Sequence, residues 1–472
     1  MISPGQTPGT SVVRHHAAPV APKDIQGTVQ MPRTPYSPEH KTASGAGWSS
    51  CQTSPAERAP GTAVPRPLLR GRGERDESEI KQPQPSRLKS LAKTHLGEMD
   101  YLRVFGLTSI VVIHSISYFF SLPDANLMSH TLQGLVVNLL RYGRFVFMFT
   151  TGLVFFYSYR DRALDSRRFY GRRLKNLVIP YAVWTAIYLL LDRYSNMINW
   201  SGAVGFGVVW LQNLLSGNAF EHLYYIVVTI QFYLLLPFLL ARFKPLRART
   251  GRAPGLWAGI LLASGLLISI VYFYGLESQA SAITSLVAGK PWEGIVGWVL
   301  MWHDRLVFSY LPFYLLGGLA GLYLEEFRKW ITDHSSLIVI GLLASAAVVG
   351  GQYFHNFVHL GQAWDLTISV FKLSIYFYSL FVVAVLFRVS LTMNQHGSLL
   401  ALIKVLSSNS LGSYLMHPAV LFFLHSFVWN QAIPGYLLVI IDPLAAIAIS
   451  CLITIWIGSN KYTRFIVGEA GQ

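Results

Sequence analysis

The fold of this chain is decided by residues 101–120, which read Tyr101-Leu-Arg-Val-Phe-Gly-Leu-Thr-Ser-Ile-Val-Val-Ile-His-Ser-Ile-Ser-Tyr-Phe-Phe120. The stretch is mainly apolar, and about 20 apolar residues in a helix cross the hydrocarbon core of a bilayer. An ionisable side chain, His114, lies within it. Such a residue is costly in hydrocarbon, so it usually faces a cavity or a partner and serves a function. The stretch therefore predicts a membrane-spanning helix that carries a functional histidine.

Arg103 is predicted to lie on the same helix face as His114. Their spacing corresponds to about 1100° of helix rotation, which is three turns plus roughly 20°. They are separated by about 16 Å along the helix axis. This places Arg103 at a membrane surface and His114 near the middle of the bilayer. A cation at the mouth could admit an anionic reagent, and a proton acceptor below it could activate a hydroxyl. Asp100, three residues before Arg103, is expected to pair with the guanidinium and fix its rotamer.

Composition places the whole chain among membrane proteins. Hydrophobic residues make up 52% and charged residues 13% of its 472 residues, whereas soluble domains carry about 25% charged residues. We therefore predict an all-α polytopic membrane protein with about ten transmembrane helices. The predicted spans lie near residues 101–122, 136–158, 174–192, 220–240, 256–275, 305–324, 335–354, 367–387, 409–428 and 434–457.

The distribution of Lys and Arg among the loops predicts the orientation. The loops 160–175 and 242–252 hold seven and five of these residues, and three further regions on the same predicted side hold two each. These 18 residues compare with two, Arg193 and Lys290, in the opposing loops. Because Lys and Arg accumulate in cytoplasmic loops, both termini are predicted to be cytoplasmic.

Residues 1–98 are predicted to form a disordered basic cytoplasmic tail, separate from a membrane domain of residues 99–458. They hold 13 of the 23 prolines and only two aromatic residues. Such a segment cannot bury enough apolar surface to offset the entropy cost of ordering. It has no apolar core of the signal-peptide kind, so we expect it not to be a cleaved leader. Residues 459–472 are predicted to form a short cytoplasmic C-terminal tail.

Several classes of function are disfavoured by the sequence. Cys51 and Cys451 lie far apart in this topology, so no disulfide is expected, and no Cys/His spacing indicates a metal site. There is no Gly-rich phosphate loop or Walker motif, so ATP-driven transport has no support. The net charge of +15 is explained by the loop bias, so we predict no nucleic-acid partner. No bound cofactor is expected.

Two groups of basic residues are candidate anion-binding sites. Arg172, Arg173 and Lys175 precede the third predicted span, where guanidinium groups could hold phosphates bidentately. The preference for basic residues on the cytoplasmic side would explain them equally well. Arg141 and Arg144 fall in the outer half of the second span, on one helix face. They could bind an anionic acceptor or lipid carrier, or extend to the outer headgroups.

Polar residues in two later spans are candidates for acceptor binding. His222 opens the fourth predicted span, followed by Tyr224 and Tyr225. Tyrosines often mark the membrane interface, so anchoring is an alternative to chemistry there. Tyr414 and His417 lie in the ninth span with i, i+3 spacing, which puts them on one face. We expect that face to be buried and polar.

Taken together, these segments resemble the acyltransferase-3 family of integral-membrane acyltransferases over roughly residues 98 to 458. The most specific element is a basic residue followed after ten residues by histidine, met here by Arg103 and His114. Thr151 stands where the family usually has serine. The family's Arg-x-x-Arg motif appears here as Arg172-x-x-Lys175 or Arg173-x-x-Asn176, so its second arginine is missing. The further matching motifs are Phe147-Met-Phe-Thr-Thr-Gly-Leu, Phe169-Tyr-Gly-Arg-Arg before Pro180-Tyr, His222-Leu-Tyr-Tyr, Tyr233-Leu-Leu-Leu-Pro, Gly317-Gly-Leu-Ala-Gly and Ser410-Leu-Gly-Ser-Tyr-Leu-Met-His.

The resemblance implies transfer of an acyl group, often acetyl, from cytoplasmic acyl-CoA to a carbohydrate hydroxyl. It implies that His114 is the histidine essential for transfer and Arg103 the basic residue of that motif. A neutral imidazole in a dry cavity could act as general base toward the sugar hydroxyl, or His114 could form a transient acyl-histidine. The family's acceptors are envelope glycans and exopolysaccharides, so the implied location is a bacterial plasma membrane. The partners would be the lipid bilayer, acyl-CoA and an envelope glycan or lipid-linked sugar.

Two other classes of function are alternatives on sequence grounds. A transporter or flippase of a glycan or lipid-linked sugar would also use ten spans and embedded polar residues. Against it, no paired half-helices with matching Gly/Pro breaks are evident in the two halves. A membrane anchor or sensor acting through the basic tail would leave His114 without a role.

The predicted topology can be tested with reporter fusions. Fusions at Asn218 and Asn356 are expected to report the outer side and a fusion at Asp165 the cytoplasm, because the basic loops alternate with the others. Paired alkaline phosphatase and fluorescent-protein activities measure the two outcomes. A cytoplasmic signal at Asn218 would contradict the ten-span topology.

Overall fold

The computed structural model describes residues 96–119, 127–194, 198–249, 254–362, 364–393, 397–429 and 435–468. These residues are predominantly helical and include no β-strand. The predicted tail lies outside the described residues except at 96–98, and so does part of the basic loop 242–252. The first helix begins at Gly97, close to the predicted boundary of the membrane domain. The prediction of an all-α membrane protein is confirmed.

Seventeen α-helices, numbered in chain order, make up most of the described residues. They are α1 (Gly97–Phe119), α2 (Leu127–Leu140), α3 (Gly143–Tyr159), α4 (Ser166–Tyr194), α5 (Gly202–Ser216), α6 (Tyr224–Arg249), α7 (Pro254–Ser269), α8 (Ala280–Val287), α9 (Glu293–Trp302), α10 (Leu311–Leu322), α11 (Leu324–Asp333), α12 (Ser335–Phe354), α13 (Trp364–Thr367), α14 (Leu373–Met393), α15 (Gly397–Ser408), α16 (Ser410–Phe423) and α17 (Gly435–Ser459). Helices α7, α12 and α16 each continue into a π-helical turn.

Nine helical segments of the described chain are long and apolar enough to cross a membrane. They correspond to nine of the ten predicted spans. The sixth predicted span, 305–324, is instead a 12-residue helix, α10, preceded by two short 3₁₀ turns. Twelve residues rise only about 18 Å, which is less than the thickness of the hydrocarbon core. If α10 is counted as a membrane crossing, the loops rich in Lys and Arg still alternate with the loops that lack them, as the sequence predicts.

Helices α3 and α10 pack with their backbones in direct contact. A Cβ on Gly317 would lie 1.9 Å from the carbonyl oxygen of Phe149, and a Cβ on Gly152 would lie 1.9 Å from that of Tyr314. Glycines on both helices therefore permit an approach that larger residues would block, as is common between membrane helices. Two of the family-like sequence motifs thus form one helix–helix contact.

Helix α1 occupies a central position, because it packs against α3, α14, α15, α16 and α17. At its N-terminal end, Arg328 of α11 donates to the buried Glu98 over 2.8 Å and to Glu325 over 3.0 Å. Burial lowers the pKa of Arg328, but the two carboxylates outweigh it and raise the pKa above its ordinary value. This ion pair ties the amphipathic helix α11 to the start of α1.

The contact between α3 and α10 generates a prediction about stability. Substituting Gly317→Ala is expected to destabilise the protein by roughly 1–3 kcal/mol, because a methyl group there overlaps the backbone of α3. Thermal unfolding of the detergent-solubilised protein measures the loss. Gly259→Ala is the matched control: it also lies in a membrane helix, and its Cβ would meet nothing within 4 Å. Equal unfolding temperatures for the two variants would contradict the packing described.

Candidate active site

Three histidines from separate parts of the sequence meet inside the helix bundle. His114 comes from α1, His222 from the turn before α6, and His417 from α16. The ring centroids are 6.1 Å apart for His114 and His222, 5.3 Å for His114 and His417, and 5.2 Å for His222 and His417. We call these three residues the histidine cluster. Two of the predicted acceptor-binding residues therefore lie beside the predicted base.

The histidine cluster retains ring nitrogens without hydrogen-bond partners. Nδ1 of His417 lies 2.7 Å from the carbonyl oxygen of Tyr414, which can only accept, so Nδ1 is assigned the proton. Nε2 of His417 and both ring nitrogens of His222 are buried without a partner among the described residues. Buried polar atoms in native proteins are normally satisfied, so these nitrogens mark a place where a polar ligand or water can bind.

His114 is the member of the cluster whose side chain is partly exposed and lies next to a carboxylate. Its side chain is 14% exposed, whereas His222 and His417 are buried. Its Nδ1 lies 3.5 Å from Oε2 of Glu221, the residue before His222. A carboxylate in this position can orient an imidazole and stabilise its charged form, leaving Nε2 to face a substrate. Glu221 was not singled out as a site residue from the sequence.

Hydrogen bonds to backbone carbonyls hold the cluster in place. The hydroxyl of Tyr414 donates to the carbonyl of His222 and thereby connects α16 to the turn before α6. The hydroxyl of Tyr188 in α4 donates to the carbonyl of Leu415 over 2.6 Å, and its ring lies 5.3 Å from that of His222. Tyr225 is buried with its ring 6.1 Å from Tyr414. These tyrosines pack around the histidine cluster and fix its backbone.

The residue after His114 is anchored by a buried carboxylate. Ser115 donates to Oδ2 of Asp442 over 2.6 Å, and the indole of Trp429 donates to Oδ1 over 2.7 Å. His425 lies 3.1 Å from the same carboxylate and stacks on Tyr118. Asp442 is completely buried in α17. The network fixes the rotation of α1 and hence the direction of His114.

The predicted cytoplasmic mouth contains Arg103, Asp100 and the basic residues of α4. Asp100 is buried, lies 3.9 Å from Arg103, and accepts a hydrogen bond of 2.7 Å from Ser407 of α15. The Arg103 guanidinium is partly exposed and close enough to Arg173 for the two charges to interact. The structure thus puts Arg103 within electrostatic reach of Arg173, one member of the predicted phosphate-binding cluster.

The basic cluster itself lies on a helix rather than in a loop. Helix α4 begins at Ser166, so Arg172, Arg173 and Lys175 are all within its first turns, and all three are exposed. Arg173 lies with its guanidinium 5.8 Å from the ring centroid of Phe155 in α3. Arg173 is therefore directed toward the bundle.

Arg141 and Arg144 lie at the junction of α2 and α3, where the helix tightens into a turn. Arg144 donates to the hydroxyl of Tyr310 over 3.3 Å and lies 5.5 Å from the ring of Tyr224. Arg141 has a buried Nε without a hydrogen-bond partner among the described residues. Both arginines lie on the predicted outer side of the histidine cluster.

No group of three or more His, Cys, Asp or Glu residues within the described ranges is arranged to hold a metal ion. The chemistry of imidazole itself is available to the histidine cluster. Neutral imidazoles can accept a proton from a hydroxyl, and several together can orient one.

Comparison with protein-family models gives a match to an acyltransferase domain, the acyltransferase-3 type, over residues 96–459. The matched segment contains every helix described above and all the residues of the histidine cluster. No match was found among curated proteins or among solved structures.

The Asp442 network leads to a prediction about how His114 is held. Asp442→Leu is expected to destabilise the protein by about 3–5 kcal/mol, because Ser115, Trp429 and His425 would lose a shared buried partner. Thermal unfolding of the purified protein measures the effect. Glu326→Gln, which removes an exposed carboxylate from α11, is the matched control and should unfold like the wild type. A stable Asp442→Leu protein would contradict the anchoring role.

Proposed function

The chain belongs to the acyltransferase-3 family and is a membrane acyltransferase, and we propose that it moves an acetyl group from cytoplasmic acetyl-CoA to a hydroxyl of a cell-envelope carbohydrate. The observation that carries this proposal is the histidine cluster, with free ring nitrogens beside His114. The proposed location is the plasma membrane of a bacterium. The family match gives no support to a transporter or flippase of glycans.

The cytoplasmic basic residues support binding of the donor. Acyl-CoA carries several phosphates, and Arg172, Arg173 and Lys175 are exposed where these could approach. Arginine binds phosphate bidentately, which adds geometric specificity to the charge attraction. Arg103, close to Arg173, would guide the pantetheine arm along the face of α1 toward His114. Asp100 fixes Arg103 and so acts as a positioning residue.

The proposed chemistry is direct acyl transfer with His114 as general base. The imidazole takes the proton of the acceptor hydroxyl while the hydroxyl oxygen attacks the thioester carbonyl. The tetrahedral intermediate then expels the CoA thiolate as the carbon–sulfur bond breaks, and the imidazolium returns the proton to sulfur. Glu221, 3.5 Å from Nδ1 of His114, would stabilise the imidazolium that forms between the two steps.

The remaining members of the cluster would hold the acceptor. Nε2 of His417 carries a free lone pair because its Nδ1 faces the carbonyl of Tyr414. It can accept a hydrogen bond from a neighbouring sugar hydroxyl, and His222 can do the same. Tyr225 and Tyr414 would present ring faces to the apolar side of the sugar, and Arg141 and Arg144 would lie at the outer entrance.

The proposed role of His114 predicts a selective loss of chemistry. His114→Ala is expected to lower acetyl transfer by about 10²–10⁴, the usual contribution of a positioned general base, with unchanged expression and donor binding. Transfer of labelled acetyl from acetyl-CoA to crude envelopes of cells lacking the gene measures the activity. His355→Ala, an exposed histidine after α12, is the matched control. Near wild-type transfer by folded His114→Ala protein would rule out this mechanism.

The proposed donor site predicts a change in apparent affinity instead. Arg173→Gln is expected to raise the KM for acetyl-CoA about tenfold or more with little change in kcat, because a charge-assisted phosphate contact is lost. Lys329→Gln, which removes an exposed cytoplasmic lysine from α11, should leave the KM unchanged. A fall in kcat at constant KM for Arg173→Gln would place this residue outside the donor site.

A further inference from the structure

The junction of α2 and α3 carries more positive charge than its neighbours neutralise. We propose that Arg141 and Arg144 bind an oxyanion of the acceptor, so that the acceptor is an acidic glycan or a sugar attached to an anionic carrier. This inference rests on the proposed function, because it names the class of molecule that brings its hydroxyl to His114.

Three cations lie close together at this junction. The charge of Arg141 interacts with those of Arg144 and of Lys372, which is buried just before α14. Nε of Arg141 is buried and has no hydrogen-bond partner among the described residues. A buried donor without a partner is costly, and an anion bound to the guanidinium would satisfy it.

The carboxylates in this region are directed to other partners. Glu221 and Glu277 both influence Arg141 electrostatically, but Glu221 lies 3.5 Å from His114 and Oε1 of Glu277 lies 3.1 Å from His303. Oε2 of Glu277 has no hydrogen-bond partner among the described residues, and the charge of Glu277 also acts on Lys372. Asp304 lies 3.8 Å from Arg305. None of these three carboxylates forms an ion pair with Arg141 or Arg144 among the described contacts. The four cations Arg141, Arg144, Arg305 and Lys372 outnumber these three carboxylates, so positive charge at the junction is available to an incoming anion.

Arg144 is held in position before any ligand arrives. It donates to the hydroxyl of Tyr310, and its guanidinium lies 5.5 Å from the ring of Tyr224. Arg305 lies 5.5 Å from the same ring, but its Nη1 already donates to the carbonyl of Ser216 and to Asn218. Its Nε has no hydrogen-bond partner among the described residues and lies 3.8 Å from the carboxylate of Asp304. Lys372 is similarly used, since it donates to the carbonyl of Thr367. Arg141 and Arg144 are therefore the ligands, and the other cations strengthen the local field.

Tyr224 connects this junction to the histidine cluster. Its ring lies 5.5 Å from the Arg144 guanidinium, and Tyr224 follows His222 by two residues in the chain. An anion on Arg144 would thus belong to the same acceptor whose hydroxyl reaches His114. The chemistry is that of a carboxylate or phosphate oxygen, both of which match a guanidinium fork. A uronic acid and the phosphate of a lipid-linked sugar are the two sources of that oxyanion.

Binding of defined anions to the purified full-length protein tests this proposal. The probes are glucuronate and farnesyl diphosphate, each compared with its neutral counterpart, glucose or farnesol. Ligand-induced thermal stabilisation in detergent gives apparent dissociation constants. We expect one anion to bind and its neutral counterpart not to bind. Arg141→Gln should weaken that binding about tenfold or more, and Arg141→Lys should retain part of it.

Two control variants separate this site from other cationic surfaces. Lys290→Gln removes an exposed lysine in a predicted outer loop and should leave anion binding unchanged. Arg173→Gln should also leave it unchanged, which separates the junction from the cytoplasmic phosphate site. Preference for glucuronate identifies an acidic sugar, and preference for farnesyl diphosphate identifies a lipid carrier.

Four results would overturn the proposal. They are binding of neither anion, equal binding of the neutral counterparts, unchanged binding in Arg141→Gln, and loss of binding in Arg173→Gln. Acetyl transfer from acetyl-CoA, measured on the same preparation, keeps this inference separate from the proposed function. Transfer without anion binding at Arg141 refutes the acidic acceptor alone, whereas anion binding without any acetyl transfer refutes the proposed function and leaves the oxyanion site.

Discussion

The cost of placing ionisable groups in hydrocarbon governs the arrangement of this protein. Each such side chain must find a partner, a cavity or a membrane surface. His114, His222 and His417 therefore gather in one cluster, and Asp442 accepts hydrogen bonds from two side chains and approaches a third. The same cost gives meaning to the ring nitrogens of His222 and His417 that have no hydrogen-bond partner among the described residues. Because an unpaired polar atom inside the bundle is costly, we infer that these nitrogens bind the substrate.

Helix geometry alone predicted the parts of the site that lie on one helix. The period of 3.6 residues puts Arg103 and His114 on one face, and α1 carries both. The convergence of His222 and His417 on His114 could not be predicted in this way, because it depends on how three distant segments pack. Glu221 and Tyr188 were missed for the same reason: a carboxylate at a helix start and a tyrosine in an apolar span have no sequence signal of their own.

Hydropathy predicted nine of the ten spans but misjudged the length of the sixth. An apolar window of about 20 residues cannot distinguish a full crossing from a short helix with 3₁₀ turns at one end. The glycine motif at 317–321 lets α10 and α3 come into backbone contact, and hydropathy does not report such a contact between distant segments.

In the proposed mechanism, a donor from the cytoplasmic face meets an acceptor from the opposite face at the histidine cluster. Oriented proteoliposomes, with acetyl-CoA supplied to one face and envelope glycan to the other, measure this directly. We expect release of free CoA only when acetyl-CoA is on the face that carries Arg103 and Arg173. Equal release with acetyl-CoA on the face of Asn218 would contradict the mechanism.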